Sequence, residues 1–399
     1  MPEKNVRDMI YAPIIDGERE EVRTISLVVT KGCNLRCSYC YEKHDQRDQV
    51  IMDLSLAKDT ITRYMEADDG YNLVSIEFFG GEPMLAFNFI REVVEWSYTQ
   101  KWRKDHNFLI GTNGTILTDE MKNWLYKNRR NVHISFSCDG SRIAHNLSRD
   151  NSYDRVRQNI PFFIENWPQQ AAKMTISAET IPYVAEGVIE LEELGLFFTA
   201  NIGFEDMWGD EKEKIRLLGI YEEQLMQLVD YYSKRPHLYP VTQIMSAVPD
   251  YLGLPDYGKS EWEKKEVKRF CGAGHEMTIV DIDGKTYACH RFLPWVTGRS
   301  SPGNAVNCQS AWKPDKCAQC KLILSCPTCA GFNWEINNDT GIRSTFHCEA
   351  YKIEVLASCR LEANRLSGRL SELDKMSQKE KKLVKKRLEA IWDLIEDGV

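Results

Sequence analysis

Cys33, Cys37 and Cys40 fall within eight residues of one stretch, Cys33-Asn-Leu-Arg-Cys37-Ser-Tyr-Cys40-Tyr. Thiolates at that spacing can hold three irons of a four-iron cubane. The fourth iron is then left to a ligand from outside the chain, because such clusters ordinarily take four cysteines. A zinc site that borrows a ligand from elsewhere satisfies the same three residues. A second group lies far downstream: Cys271, twelve residues, Gly284, four residues, Cys289; then Cys317-x2-Cys320-x5-Cys326-x2-Cys329; then Cys348. Taken alone, its paired C-x2-C knuckles suit a zinc ribbon. Of the 13 cysteines, none lies between 139 and 270 and nine lie between 271 and 359. That clustering, in a long chain whose start lacks a secretory signal layout, points to metal ligation rather than a disulfide scaffold.

These residues need elements to hold them. The runs at 24–30 (TISLVVT), 73–79, 108–112, 132–137, 173–178 and 197–203 read as strands. Amphipathic stretches of helical length separate them at 55–67, with Ser55 as N-cap, and at 85–101, 118–127 and 181–194. Alternating strands and helices predict a parallel sheet with right-handed crossovers, hence an open or closed α/β barrel. Chemistry in such folds sits at the C-terminal ends of the strands. There stand the first cysteine group, Gly80-Gly81-Glu82-Pro83, Thr112-Asn113-Gly114, and Asp139-Gly140. Paired glycines let strand-end carbonyls approach a ligand closely, and Glu82 can accept a hydrogen bond from an ammonium group.

The remainder divides by texture. Residues 1–23 form an N-terminal extension, 24–210 the barrel, 211–270 a helical bridging region, 271–359 a loop-rich cysteine domain, and 360–399 a terminal helix with Val384, Leu388, Ile391 and Ile395 on one face. A hairpin is expected at 276–289, turning at Asp283-Gly284. The net charge of −8, from 51 Lys+Arg against 59 Asp+Glu, argues against a broad grip on nucleic acid. No apolar run approaches the roughly 18–20 residues of a membrane span. The reading is a cytoplasmic protein with no nucleic-acid or membrane partner.

The first cysteine group resembles the C-x3-C-x2-C signature of the radical S-adenosylmethionine (SAM) enzymes, with Tyr39 as the aromatic before the last cysteine. Gly80, Gly81, Glu82 and Pro83 match that family's GGEP loop, and Thr112, Asn113 and Gly114 its TNG segment. Ser135-Phe-Ser137-Cys-Asp139-Gly140 followed by Arg149 resembles its S-x-D-G…R stretch. The resemblance implies SAM chelated at the open iron. The methionine amino group would be held by the GGEP loop, and the ribose and carboxylate would be met by polar groups including Ser137 and Arg149. It implies a partial (β/α)6 TIM-like barrel.

The second cysteine group resembles the SPASM extension of these enzymes, which binds two auxiliary 4Fe-4S clusters and so brings the total to three. Cys271, Cys289 and Cys329 would hold the first auxiliary cluster, and Cys317, Cys320, Cys326 and Cys348 the second. The pattern departs from the family in having two residues, not three, between Cys326 and Cys329. It also lacks a cysteine just upstream of Cys271. Cys308 or Cys359 could complete the first set, or its open iron could take a substrate thiolate. The resemblance implies a maturase that forms a crosslink, foremost a Cys thioether, in a ribosomally made peptide. The alternatives are a sulfatase-maturase-like formylglycine-generating enzyme, with Asp206, Glu205 or Glu179 as base, and a SPASM-type small-molecule dehydrogenase. The implied partners are a peptide or protein substrate, a reductase such as flavodoxin or ferredoxin, and a separate leader-binding protein. Only about 22 residues precede the first strand, too few for a leader-binding domain, so recognition is expected to need that separate protein or the helices at 211–260 and 360–399.

Overall fold

The computed structural model describes residues 22–42, 49–238, 240–241, 271–299, 314–320, 322–323, 326–369 and 375–396. Most of the N-terminal extension, residues 242–270 of the bridging region, and Cys308 lie outside the described residues.

The strands are β1 (Val22–Thr30), β2 (Leu73–Gly80), β3 (Asp105–Thr112), β4 (Val132–Phe136), β5 (Ala172–Ile176), β6 (Phe198–Ile202), β7 (Met277–Val280) and β8 (Thr286–Tyr287). Alternation decides their faces. Ile25, Leu27, Val29, Val74, Ile76, Phe78, Phe108, Ile110, Val132 and Ile134 are buried in one apolar core. Each such side chain contributes about 1.5–3 kcal/mol by leaving water. Glu77, Ser135, Lys173 and Asn201 point to the opposite side and line a cavity. The sheet order is β4-β3-β2-β1-β7-β8, with β5 and β6 paired beside it. A parallel bridge from Ser137 to Lys173, with the Cys138 N–H donating to the Lys173 carbonyl at 2.9 Å, carries the curve from β4 into β5. β1 to β6 are thus the expected parallel α/β array of an open barrel.

The intervening helices Leu54–Met65, Phe87–Tyr98, Asp119–Asn128 and Val184–Glu193 occupy the expected stretches. The first is capped by Asp53, not Ser55: the Asp53 carboxylate accepts from the Ser55 and Leu56 N–H groups, and a carboxylate at a helix N-terminus also meets the helix dipole favourably.

Two features differ from the sequence reading. The expected hairpin forms, with β7 antiparallel to β8 from Ile279↔Tyr287 to Val280↔Thr286, but it does not stay within the cysteine-rich segment. Its first strand, β7, pairs parallel to β1 from Thr24↔Met277 to Leu27↔Val280, and so extends the barrel sheet. The single terminal helix is instead two helices, Cys348–Arg369 and Gln378–Glu396. On the second, Val384, Ile391 and Leu394 are buried, whereas Leu388 and Ile395 are 45% and 48% exposed. The buried stripe lies one step around the helix from the face read off the sequence. Among the described residues, no helix is long and apolar enough to cross a membrane.

The Cys348–Arg369 helix packs on the helix Glu211–Ser233, where the Tyr221 hydroxyl donates to Glu354 at 2.7 Å. Burial pushes the Glu354 carboxyl up to about 7. The unfolded chain loses this proton near the ordinary glutamate value while the folded chain still holds it. Stability therefore falls as pH rises from about 4.5 to about 7 and then levels. Glu354→Gln keeps an acceptor for Tyr221 and removes the charge. We expect it to flatten that slope and to stabilise the protein at pH 8 by about 1–2 kcal/mol, measured by anaerobic denaturant titration across pH.

Candidate active site and cysteine groups

The C-terminal ends of β1 to β6 open on a cavity of about 540 Å3. Cys33, Cys37, Cys40 and Tyr39 line it from the loop after β1, Gly80, Gly81 and Glu82 from β2, Thr112 and Asn113 from β3, and Ser137 and Arg149 from β4 and the turn beyond it. Pro83 is buried and opens a short 3-10 helix. The predicted SAM-site residues thus converge, although they come from four strand ends.

Backbone and side-chain bonds fix these loops to one another. The Gly81 N–H donates to the Thr30 carbonyl at 3.0 Å and the Glu82 N–H to the Gly32 carbonyl at 2.8 Å. A Cβ on Gly80 would overlap the Thr30 carbonyl oxygen, and one on Gly81 the Gly32 carbonyl oxygen. The glycines therefore admit the neighbouring β1 backbone, a different close approach from the one read off the sequence. Glu82 is 1% exposed. Its carboxylate accepts from the Met84 N–H at 3.0 Å, the Thr112 hydroxyl at 2.7 Å and the Asn113 N–H at 2.7 Å. Burial raises its pKa against those bonds. Glu82 thus binds the β2 loop to the β3 loop. Asn34, between Cys33 and Cys37, accepts from the Asn113 side chain at 2.8 Å and donates to Thr115 at 2.9 Å.

A buried carboxylate organises the other wall. Asp139 is fully buried. One oxygen accepts from the Tyr39 hydroxyl at 2.7 Å, the Ser148 hydroxyl at 2.8 Å and Arg149 Nε at 2.8 Å; the other accepts from the Thr175 N–H of β5 at 2.9 Å. Burial opposes the Arg149 charge, but Asp139 holds its pKa high. His145 accepts from the Asp139 N–H through Nδ1 at 3.3 Å, and burial pushes it down to about 4, so it is neutral.

The downstream cysteines fall into two groups. Cys271, Cys289 and Cys329 lie close enough to act electrostatically on one another. So do Cys317, Cys320, Cys326 and Cys348. Burial pushes the Cys40, Cys289 and Cys326 thiols up to about 12. Such groups stay protonated until a cationic metal centre takes the thiolate. Each group has a buried guanidinium beside it. Arg343 donates to the Cys326 carbonyl at 3.0 Å and the Ile323 carbonyl at 3.0 Å; Arg291 lies beside Cys289 and Cys329. Cys359 packs with Leu322, Tyr351, Val355 and Leu366 in an apolar cluster that Cys320 and Cys326 adjoin. Cys289 belongs to a different cluster, with Ala273, Phe292 and Ala330. Cys359 is therefore not placed to complete the three-thiol group. His347 ties the barrel to this region, donating through Nε2 to the Phe204 carbonyl at 3.1 Å and accepting from Trp208 Nε1 at 3.1 Å.

Cys329 lines the same cavity as Cys33, Cys37 and Cys40, together with His290, Arg291 and Trp295. His290 stacks between Phe79, at 5.1 Å, and Tyr41, at 5.5 Å. Of the three acids considered as bases, Glu205 lines the cavity, whereas Glu179 and Asp206 do not. Glu179 accepts from the Ser177 hydroxyl at 2.8 Å, and Asp206 is exposed and accepts from the Trp208 N–H at 3.3 Å. The sequence reading assigned no role to Asp139 or Arg291. The Asp-Gly pair after β4 and the Cys-His-Arg run at 289 were their signals.

Residues 27–169 match the model of the Radical SAM superfamily. The chain carries a radical SAM domain. The resemblance drawn from the cysteine spacing is borne out. SAM and a 4Fe-4S cluster fit the cavity by donor chemistry: three thiols on one loop and the Arg149 guanidinium line it. The chain is 25% identical over 227 residues to the radical SAM cyclopropyl synthase TigE of Paramaledivibacter caminithermalis, covering 51% of this chain and 47% of that protein. It thus spans about half of that relative. It is 22% identical over 364 residues to the cysteine-type anaerobic sulfatase-maturating enzyme of Clostridium perfringens, covering 81% of this chain and 92% of that enzyme. In fold, it superposes on anSMEcpe with bound AdoMet with a TM-score of 0.63 at 17% identity, over 85% of this chain and 98% of that one. It superposes on Streptococcus suis SuiB bound to precursor peptide SuiA with a TM-score of 0.52 at 16% identity, over 82% and 76%. The radical SAM domain is thus continuous with a C-terminal part that shares the fold of these neighbours.

Proposed function

We propose that the chain is a radical SAM maturase that oxidises a side chain of a ribosomally made peptide, with a Cys thioether as the foremost product. The observation that carries this reading is the shared cavity: the Cys33, Cys37 and Cys40 loop faces Cys329 and Arg291 across one space. The relatives include a cyclopropyl synthase and a sulfatase-maturating enzyme, and one fold neighbour holds a precursor peptide.

In this reading Cys33, Cys37 and Cys40 hold the SAM-binding cluster. Cys271, Cys289 and Cys329 hold one auxiliary cluster, and Cys317, Cys320, Cys326 and Cys348 the other. When reduced and bound, SAM at its cluster supplies a 5′-deoxyadenosyl radical that takes a hydrogen atom from the substrate. The chain's own residues orient and enclose. The Gly80-Gly81 loop, held against β1, would lie beside the methionine amino group. Arg149, locked by Asp139, meets its carboxylate, and Ser137 meets the ribose. His290 and Trp295 wall the cavity against water. The substrate gives up a carbon-bound hydrogen atom, a thiol proton and one electron as the carbon–sulfur bond forms. An auxiliary cluster held by the downstream cysteines would supply the acceptor for that electron, and an external redox protein such as flavodoxin or ferredoxin would remove it. A separate leader-binding protein would deliver the peptide. Formylglycine formation is a second reading, favoured by the 92% coverage of the sulfatase-maturating enzyme.

The test is anaerobic reconstitution followed by reaction with peptides encoded beside the gene. We expect roughly twelve irons per chain and a peptide that has lost two hydrogens together with its free thiol. A product in which the thiol is replaced by an aldehyde would select the second reading. One or two zincs with little iron would overturn both.

A further inference from the structure

Arg291 is 4% exposed, yet it lines the cavity. Nη2 donates to Glu205 Oε1 at 2.6 Å and Nη1 to Glu335 Oε2 at 3.4 Å. The guanidinium lies over the Tyr41 ring at 4.3 Å and the Phe332 ring at 5.4 Å. Its root is clamped as well. Arg291 follows Cys289 by two residues and packs on Gly331, two residues past Cys329, where any Cβ would overlap the Arg291 Cβ. One cation is thus fixed between the two segments that bear these thiols, paired with Glu205, which lies just past β6 and lines the same cavity as Cys329.

We propose that Arg291, with Glu205 as its counter-charge, is a positioning residue that sets the reduction potential of the cluster held by Cys271, Cys289 and Cys329, and so makes that cluster the acceptor of the substrate electron. The inference rests on the cluster assignment proposed above. Reduction adds one negative charge to a site where Cys289 is buried and Cys271 exposed. A fixed cation beside it stabilises the reduced form, and a carboxylate at the same spot stabilises the oxidised form. The pair therefore acts with opposite signs, which loosened packing does not imitate. The cluster gains one electron as the substrate bond forms, the thiol proton leaves to solvent, and the external redox protein removes the electron.

The test is potentiometric titration with dithionite of the anaerobically reconstituted full chain, followed by EPR. In Arg291→Gln one midpoint should move to lower potential by at least tenfold in the reduction equilibrium, about 59 mV for one electron. Glu205→Gln should move the same midpoint upwards, and Arg291→Lys should stay near wild type. Unchanged midpoints, or shifts of the same sign in Arg291→Gln and Glu205→Gln, would overturn the inference. If Arg291→Gln loses iron, the sign of the Glu205→Gln shift decides. Full iron content in a Cys289→Ala/Cys329→Ala variant would instead show that the cluster assignment itself is wrong.

Discussion

Replacing Cys33, Cys37 and Cys40 together by Ala is expected to lower iron from roughly twelve to about eight per chain and to abolish 5′-deoxyadenosine formation. The three thiols sit on one loop at the cavity wall, and the other seven proposed ligands belong to separate groups. Losing the first group should therefore leave the remaining iron in place. Without that cluster no electron reaches the SAM sulfonium, so the loss is complete rather than graded. The converse variant, Cys289→Ala/Cys329→Ala, should still cleave SAM but release unmodified peptide. Iron analysis and chromatography of 5′-deoxyadenosine separate the two. Retained cleavage in the triple variant would place the SAM site elsewhere.

Asp139→Ala is expected to cost about 3–5 kcal/mol of stability, the scale for removing one partner of a buried ion pair. Arg149 is left charged and buried, and Tyr39, Ser148 and the β5 N–H of Thr175 lose their shared acceptor. The damage reaches the chemistry, because Tyr39 belongs to the cysteine loop and Arg149 to the cavity. Asp139→Asn keeps an acceptor and should cost less. Arg149→Met in the Asp139→Ala background should recover part of the loss, since no orphaned charge remains; additive losses would show that the pair is not coupled. Anaerobic thermal melts, with SAM affinity by equilibrium dialysis, measure both effects.

The order of strands and helices was legible because each strand carries a short β-rich run and each helix a 3.6-residue apolar pattern. The partition of seven cysteines into two groups is the one the SPASM resemblance implied; spacing alone would have kept Cys329 with Cys326. Asp139 and Arg291 were not legible in the same way. A lone Asp after a strand becomes a hub only when Tyr39, Arg149 and Thr175 arrive from 100, 10 and 36 residues away, and no local pattern encodes that. Glu82 shows the same limit: its type was read correctly, but three internal donors already use its oxygens. The buried face of the last helix was misread for a related reason, since Val384 and Ile391 fit two adjacent stripes and only the packing partner chooses between them.

The pairing of β7 with β1 has a consequence for how the protein is made. Thr24 meets Met277, so the edge of the first strand stays open until the ribosome has delivered about 250 further residues, with synthesis running from the N-terminus. Closure over such a sequence distance is slow compared with local helix and loop formation. The loop bearing the first three thiols therefore follows a strand whose β7 partner arrives late in synthesis. A chain cut before residue 277 would keep that edge permanently open, presenting unpaired backbone to other chains; the barrel is finished only by the segment that follows it.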